Sequence, residues 1–370
     1  MTIFNKMSTN YKVLCITDRS DLPETQLFIG LHKAEVDIEI MCNPTGKHYQ
    51  KLLENRITTH ELILKGRYSR KGRQFLKAHF EKNRYDIVYC FNNHALTTLL
   101  LALPDGQFKI ASYRGIVGNL SPFAPGSWMC HLNPRVIRIS CVCNAVRDHI
   151  RSLKAPGVKI PAGKPITIYK GHDISWYDQP PADLSSFNLP EDAFIVSFAG
   201  RDRPRKGVKY LVDAANHLPK GLPIYFLLMG DLKKSKKLKK KIKETPYAKN
   251  FILAGFRDDA PAVMRASDTM ILPSTKREGL ARAVIESMAS ETVPIVSDVG
   301  GLPEIVINEK SGFVVPKKNS QAIAEAIMKL VNDPQRKKKM AKRAQERIQK
   351  HFHISTTVRQ TKEMFEDMLQ

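Results

Sequence analysis

The 370-residue sequence predicts an α/β protein made of two doubly wound domains. Three observations predict it. Short β-rich runs alternate with amphipathic helical stretches along the chain. The runs fall into two sets on either side of one segment rich in Pro, Ser and Asp. The length also exceeds the ~250–300 residues at which single cores stop growing.

The first set of strands is predicted at Lys12–Thr17, Val36–Met41, Asp86–Phe91, Lys109–Tyr113, Arg138–Cys143 and Ile166–Tyr169. The second is predicted at Phe194–Ala199, Ile224–Met229, Phe251–Ala254, Thr269–Leu272, Val293–Val296 and Phe313–Val315. Helical spacing of apolar residues marks Gly207–Asn216, Leu280–Ser290 and Gln321–Val331. Strands alternating with helices read as βαβ units and parallel sheets. The segment Tyr177–Pro190 (YDQPPADLSSFNLP) has turn signals and little periodicity. The expected division is therefore a first domain over 1–177, a linker over 178–190, a second domain over 191–352 and a last amphipathic helix within 353–370. No period of 20–50 residues repeats, which excludes a solenoid. Open parallel sheets bind ligands beyond the carboxyl ends of their strands, so a cleft there is the first place to look.

The 59 Lys and Arg against 36 Asp and Glu give a formal charge of +23. Residues 1–180 hold 25 basic and 14 acidic residues and 181–370 hold 34 and 22, so the excess is not a basic tail. Hydrophobic content of 42% is enough for two cores and excludes wholesale disorder. The charge predicts an anionic partner, such as a nucleotide, a phosphorylated glycan, a lipid surface or a nucleic acid. No helix-turn-helix, zinc module or RNA-recognition signature accompanies it, so nucleic acid is not the expected partner. Six cysteines, Cys15, Cys42, Cys90, Cys130, Cys141 and Cys143, lie in the first half. Their spacing is not that of a zinc site, so buried reduced thiols are expected and no metal. The N-terminus lacks a long apolar run and a small-residue cleavage site. The longest apolar stretch, from His94 to Pro104, falls short of the ~18 residues that span a bilayer. The expected location is the cytoplasm or the inner face of the cytoplasmic membrane.

Two motifs carry chemistry. In the first, a strand ends at Ala199 and Gly200 and is followed by Arg201-Asp202-Arg203-Pro204-Arg205-Lys206-Gly207 and a helix. Four cations at a strand end and helix start suit a phosphate, gripped by Arg and by the point charge of Lys. A solvated basic loop is the other reading of this run alone. In the second, Glu278 and Glu286 enclose seven residues, with Gly279, Leu280 and Ala281 between a strand and a helix. A carboxylate there can accept hydrogen bonds from the neighbouring hydroxyls of a ribose or hexose, and the backbone amides can hold an anion. The alternative makes Glu278 a helix cap and Glu286 a surface residue.

The segments FAGRDRPRKG, FILAGFRDDAPAVMRASDTMILPS, REGLARAVIESMAS and ETVPIVSDVGGLPEIV, in this order, resemble the retaining glycosyltransferases of the GT-B fold, family 4. The resemblance covers roughly residues 194–335. It implies two Rossmann-like domains facing across a cleft, with a nucleotide sugar, a UDP-sugar above all, as co-substrate and no cofactor. It also implies a metal-independent, hexosyl- or other glycosyl-transferring enzyme, and no convincing D-x-D element is present. Arg201 and Lys206 would hold the donor diphosphate beside Gly200. Glu278 would touch the donor sugar, with the amides of Gly279, Leu280 and Ala281 facing sugar and phosphates. Glu286 would bind the ribose, and the base would lie by Gly255, Phe256 and Arg257. Gly300 and Gly301 match the family's paired glycines. The last helix would cross back to the first domain.

Departures from the family pattern occur in both halves. The usual E-G-x-G reads Glu278-Gly279-Leu280-Ala281, and the glycine pair after the first strand is absent from 18–25. The family's His near the fourth strand aligns with Arg114, which stays protonated and cannot be a base. The acceptor-side candidates are therefore His94, Arg114, Gly115 and Asn119. The basic run from Lys65 to Arg73 with Lys77 contains aromatic residues and is read as a docking surface for anionic lipid or acceptor. The Lys233–Lys243 and Arg336–Arg343 runs read as solvated helices. The expected acceptor is an anionic cell-surface glycan or glycolipid such as lipopolysaccharide core. A nucleotide-sugar epimerase or phosphorylase of the same fold is the rival enzyme, and a nucleic-acid-binding protein the rival outside enzymes.

Overall fold

The computed structural model describes residues 11–157 and 159–370. The chain divides into two compact units: unit 1 runs to Gly171 and resumes at Ile354–Gln370, and unit 2 is His172–His353. The division falls before Tyr177. The segment 178–190, expected as a linker, lies within unit 2, where Ala182 N donates to Ala262 O at 3.0 Å.

Among its described residues, unit 1 holds seven parallel strands: β1 (Lys12–Ile16), β2 (Asp37–Cys42), β3 (Thr58–Glu61), β4 (Ile87–Cys90), β5 (Lys109–Arg114), β6 (Val136–Cys141) and β7 (Pro165–Thr167). They are ordered β3-β2-β1-β4-β5-β6-β7. Unit 2 holds six: β8 (Phe194–Ala199), β9 (Ile224–Met229), β10 (Phe251–Gly255), β11 (Thr269–Leu272), β12 (Val293–Ser297) and β13 (Phe313–Val315). Their order is β10-β9-β8-β11-β12-β13, again parallel. In each unit the order reverses beside its first strand, between β1 and β4 and between β8 and β11. A crevice opens at such a switch point.

The strands form where the sequence has short aliphatic runs, because helices cover both faces of a parallel sheet. β4, Ile-Val-Tyr-Cys, is buried throughout. β3 is the strand that the pattern does not predict. Its sequence, Thr-Thr-His-Glu, has no aliphatic residue, and it is an edge strand left half exposed. All six cysteines are buried and none forms a disulfide.

Helix Leu22–Lys33 is capped by Asp21, whose side chain accepts from Glu24 N. It packs on helix Ile354–Leu369, which belongs to unit 1. Gly30 makes that approach close: a Cβ there would sit 2.4 Å from Val358 Cγ2. Met364, Phe365 and Met368 join Phe28, Tyr89 and Ile40 in one core cluster. The lysine-rich run of unit 2 forms helix Lys236–Lys243, which buries Leu238 and Ile242 and leaves most of its lysines in solvent. No helix among the described residues is long and apolar enough to cross a membrane.

Candidate active site

The switch point of unit 2 is built from the loops that follow β8 and β11. Their backbones lock together. Thr275 N donates to Arg205 O at 2.8 Å. Gly207, at φ +71°, passes so close that a Cβ would lie 1.8 Å from Pro273 O. Only glycine accommodates both the positive φ and that contact.

This clasp brings the two motifs together around one carboxylate. Glu278 is 4% exposed. Its Oε1 lies 2.9 Å from Lys206 Nζ and 3.3 Å from Arg205 Nη1, and accepts from Ser274 Oγ at 2.7 Å. Ser274 is held in turn, since its carbonyl accepts from Ser297 Oγ at 2.5 Å. Behind Glu278, Gly300 at φ +59° would carry a Cβ only 2.0 Å from Glu278 O. The carboxylate is therefore positioned from both sides, with two cations within reach of one oxygen. Arg205 and Ser274 complete the group and were not marked by the motif. A run of four cations does not say which of them turns inward. Arg201 is exposed at the start of the loop.

The second glutamate follows on helix Arg282–Ala289, which starts two residues later than its spacing predicts. Glu286 lies 3.1 Å from Arg282 Nε. No side chain caps this helix, so the amides at its start, after Gly279, Leu280 and Ala281, have no side-chain cap.

A second feature lies at the carboxyl ends of β8, β9 and β10, where Gly200, Gly230 and Gly255 meet. Gly230 N donates to Gly255 O at 2.7 Å. An open recess of ≈ 480 Å³ there is lined by Gly230, Asp231, Lys233, Ala254, Gly255 and Phe256, among others. Phe256 is 79% exposed, an unusual state for a phenyl ring and an available stacking face. Arg257, expected nearby, is engaged by Asp259 through two contacts of 2.7 and 2.5 Å.

In unit 1 the switch point carries a recess of ≈ 390 Å³ lined by Thr17, Asp18, Arg19, Glu24, Asn93 and His94, among others. His94 is exposed on the first turn of helix Asn93–Ala102. The other acceptor-side candidates are not among the lining residues. Arg114 is buried, donates to Gly118 O, and leaves Nε without a partner. Burial holds its guanidinium below the usual arginine range. It braces its own loop, which includes Gly115 and ends near the exposed Asn119 at φ +58°.

Two buried groups beside this recess are invisible in the sequence. His131 is 1% exposed, with Nδ1 2.9 Å from Ser112 Oγ and Nε2 2.9 Å from Asn93 Oδ1. The amide oxygen can only accept, so Nε2 carries the proton and Nδ1 accepts from the serine. Burial, then the Arg114 charge, lowers its pKa to about 3, so the ring is neutral at pH 7. Glu24 accepts from Thr17 Oγ1 at 2.6 Å and lies 3.7 Å from Lys170 Nζ. Burial lifts its pKa to about 7 against the pull of Lys170.

Comparison with known proteins fits this geometry. Residues 181–347 match the model of the family described as glycosyl transferases group 1. The Escherichia coli UDP-Gal:alpha-D-GlcNAc-diphosphoundecaprenol alpha-1,3-galactosyltransferase is 28% identical over 185 residues, 49% of this chain and 47% of that protein. The Staphylococcus aureus capsular polysaccharide biosynthesis glycosyltransferase CapM is 27% identical over 187 residues, 49% of this chain and 48% of that one. The chain thus spans about half the length of these curated relatives. Among solved structures, Anabaena Alr3699/HepE in complex with UDP and glucose superposes with a TM-score of 0.77 at 21% identity, covering 96% of this chain and 100% of that one. A glycosyltransferase from Rickettsia africae gives 0.79 at 19% identity, over 98% and 99%. The similarity to the glycosyl transferases group 1 family thus lies within unit 2, in a chain of GT-B fold.

Proposed function

We propose that this protein is a glycosyltransferase that moves a sugar from a UDP-sugar to a cell-surface glycan or lipid-linked acceptor, with retention of configuration. The observation that carries the reading is the buried Glu278 carboxylate, gripped by Lys206, Arg205 and Ser274 at the switch point of a parallel sheet. A site for a sugar diphosphate needs cations where the leaving diphosphate gains charge and a fixed acceptor for sugar hydroxyls. Lys206, with Arg201 and Arg205, would stabilise the departing diphosphate, where charge develops in the transition state. Glu278 would accept hydrogen bonds from donor-sugar hydroxyls, Glu286 from the ribose, and Phe256 would stack on the base. Front-face transfer lets the leaving phosphate take the acceptor's proton, so neither a metal nor a protein base is required in this scheme. The relatives named for UDP-galactose and diphosphoundecaprenol, and for capsular polysaccharide biosynthesis, support the donor and acceptor classes.

The acceptor would meet the recess of unit 1 at Asp18, Arg19, Asn93 and His94. Anionic membrane contact is part of this reading. Arg67 donates to Gly126 O, which brings the basic run beside the 121–128 segment. There Tyr68 and Phe75 are exposed, and Phe123 is 74% exposed. Cations beside exposed aromatic rings suit a lipid headgroup region, at ~1 kcal/mol per cation.

Incubation with a panel of nucleotide sugars tests the whole reading, by slow donor hydrolysis and by thermal stabilisation. One UDP-sugar should give both. Lys206→Ala and Glu278→Ala should each lower hydrolysis by at least ~10²-fold while the circular dichroism spectrum is unchanged. No response to any sugar nucleotide, with salt-sensitive binding to DNA, would replace this reading by a nucleic-acid-binding one.

A further inference from the structure

We propose that Glu39, His60 and His79 form a Zn²⁺ site in unit 1. Nothing in this proposal rests on the transferase reading. The three residues come from separate elements: Glu39 from β2, His60 from β3 and His79 from the last turn of helix Arg70–Lys82. Their ligand atoms all lie within 4.8 Å of one another. His60 Nε2 is 2.6 Å from Glu39 Oε2, and the two imidazole rings are 4.5 Å apart between centroids. Tyr85 bridges Glu39 and His79. Its hydroxyl lies 2.5 Å from Glu39 Oε2 and 2.8 Å from His79 Nε2.

The chemistry of this set suits zinc and disfavours the alkaline-earth ions. Two imidazole nitrogens and one carboxylate oxygen are ligands of zinc, bound at about 2.0–2.2 Å. Mg²⁺ and Ca²⁺ prefer all-oxygen shells. Tetrahedral zinc separates its ligand atoms by about 3.3 Å. The Glu39–His60 contact therefore opens by less than 1 Å, and His79, on the outer helix, draws inward. Tyr85, or a water in its place, supplies the fourth position.

The nearest cation does not block the site. Lys12 Nζ lies 2.5 Å from Glu39 Oε1, the other carboxylate oxygen. One glutamate can thus serve both, with Oε2 facing the imidazoles. The ammonium charge nearby weakens the site relative to a ligand set with no cation beside it. Lys12 opens β1 and Tyr85 precedes β4, so the cluster lies toward the amino ends of these strands. The recess lined by Thr17 and Asn92 lies beyond their carboxyl ends. The ion would be structural: it ties helix Arg70–Lys82 to the four-residue edge strand β3. Leu76 is the one large apolar residue that this helix buries.

The test uses the full chain, stripped with a chelator and titrated with ZnCl₂ by calorimetry. The expected result is one Zn²⁺ per chain, a raised melting temperature, and no binding of MgCl₂. His60→Ala and His79→Ala should each weaken binding at least tenfold, and the double variant should abolish it. Co²⁺ should give visible absorption bands of nitrogen and oxygen coordination in the parent and not in the double variant. Circular dichroism without metal checks that the variants fold, and His60→Gln with His79→Gln replaces the alanine pair if they do not. Absence of Zn²⁺ binding to the parent, or binding that the double variant retains, would overturn the site.

Discussion

Glu278 illustrates how much one side chain depends on residues distant in sequence. Its partners come from two loops, and each contributes a different strength. A neutral hydrogen bond to a charged group is worth about 1.5–3 kcal/mol, and each 1.4 kcal/mol is tenfold in rate. Ser274→Ala should therefore lower donor turnover by roughly ten- to a hundredfold, less than Lys206→Ala, with the fold intact. The measurement is kcat/KM for donor hydrolysis, and equal loss in the two variants would contradict the ranking. His131 supports a second prediction. Its pKa in the folded protein, about 3, is below its ordinary 6.5. Above pH 6.5 neither state holds the proton and the group contributes nothing to pH dependence. As pH falls from about 6.5 toward 3, the unfolded chain takes a proton that the folded chain refuses, so stability is lost. The loss is on the order of a few kcal/mol. Arg114, Lys164 and Arg67 surround the ring and act in the same direction. Denaturation curves between pH 7 and 4 should show this slope in the parent and a shallower one in His131→Gln. Parallel curves would exclude His131 as the cause.

Elements were legible where the physics is local. Twelve of the thirteen strands among the described residues needed only a short β-rich stretch with turns at its ends, and helix Lys236–Lys243 needed only two apolar anchors among lysines. β3 was not legible, because an edge strand of Thr, Thr, His and Glu is specified by its pairing with β2 and not by burial. β7, only three residues long, was legible in place though not in extent. The candidate site divides in the same manner. Lys206, Glu278 and the amides after it were readable because they follow strand ends. Arg205 and Ser274 were not, since only the clasp between loops selects them. Ser112, His131 and Asn93 meet across 19 and 38 residues of sequence, which no spacing rule reaches. The clasp itself can be tested at its glycines. Gly300→Ala must resolve a 2.0 Å approach to Glu278 O as well as a positive φ, and should lose about 1–3 kcal/mol of stability and most donor binding. Gly221, also at positive φ (+87°) but with open space around it, is the matched control. Gly221→Ala should lose some stability and leave donor binding unchanged, as read by thermal shift with and without UDP. Equal effects on donor binding would show that φ strain, and not the contact with Glu278, is responsible.

At the scale of the whole molecule, the charge of +23 takes on a narrower meaning. A few cations converge on Glu278, and another group lies along the 65–77 run. The rest cover surfaces such as helix Lys236–Lys243. The two units also differ in how the chain completes them. Unit 2 is continuous in sequence, whereas unit 1 needs its last helix, Ile354–Leu369, to finish a core begun at β1. Phe365 is fully buried there and packs edge-on to Tyr89 at 5.9 Å between ring centroids. Removing a buried phenyl ring costs about 3–5 kcal/mol through lost transfer energy and the cavity left behind. Phe365→Ala should therefore lower the melting temperature of unit 1 by several degrees, although the substitution lies at the far end of the sequence. Unit 2 has its own core, and UDP-sugar binding to its loops should persist in the variant. Calorimetry with and without UDP separates the outcomes. Two transitions, of which only the one insensitive to UDP moves, are expected. A single transition shifted as a whole would mean that the units unfold together and that the last helix stabilises both.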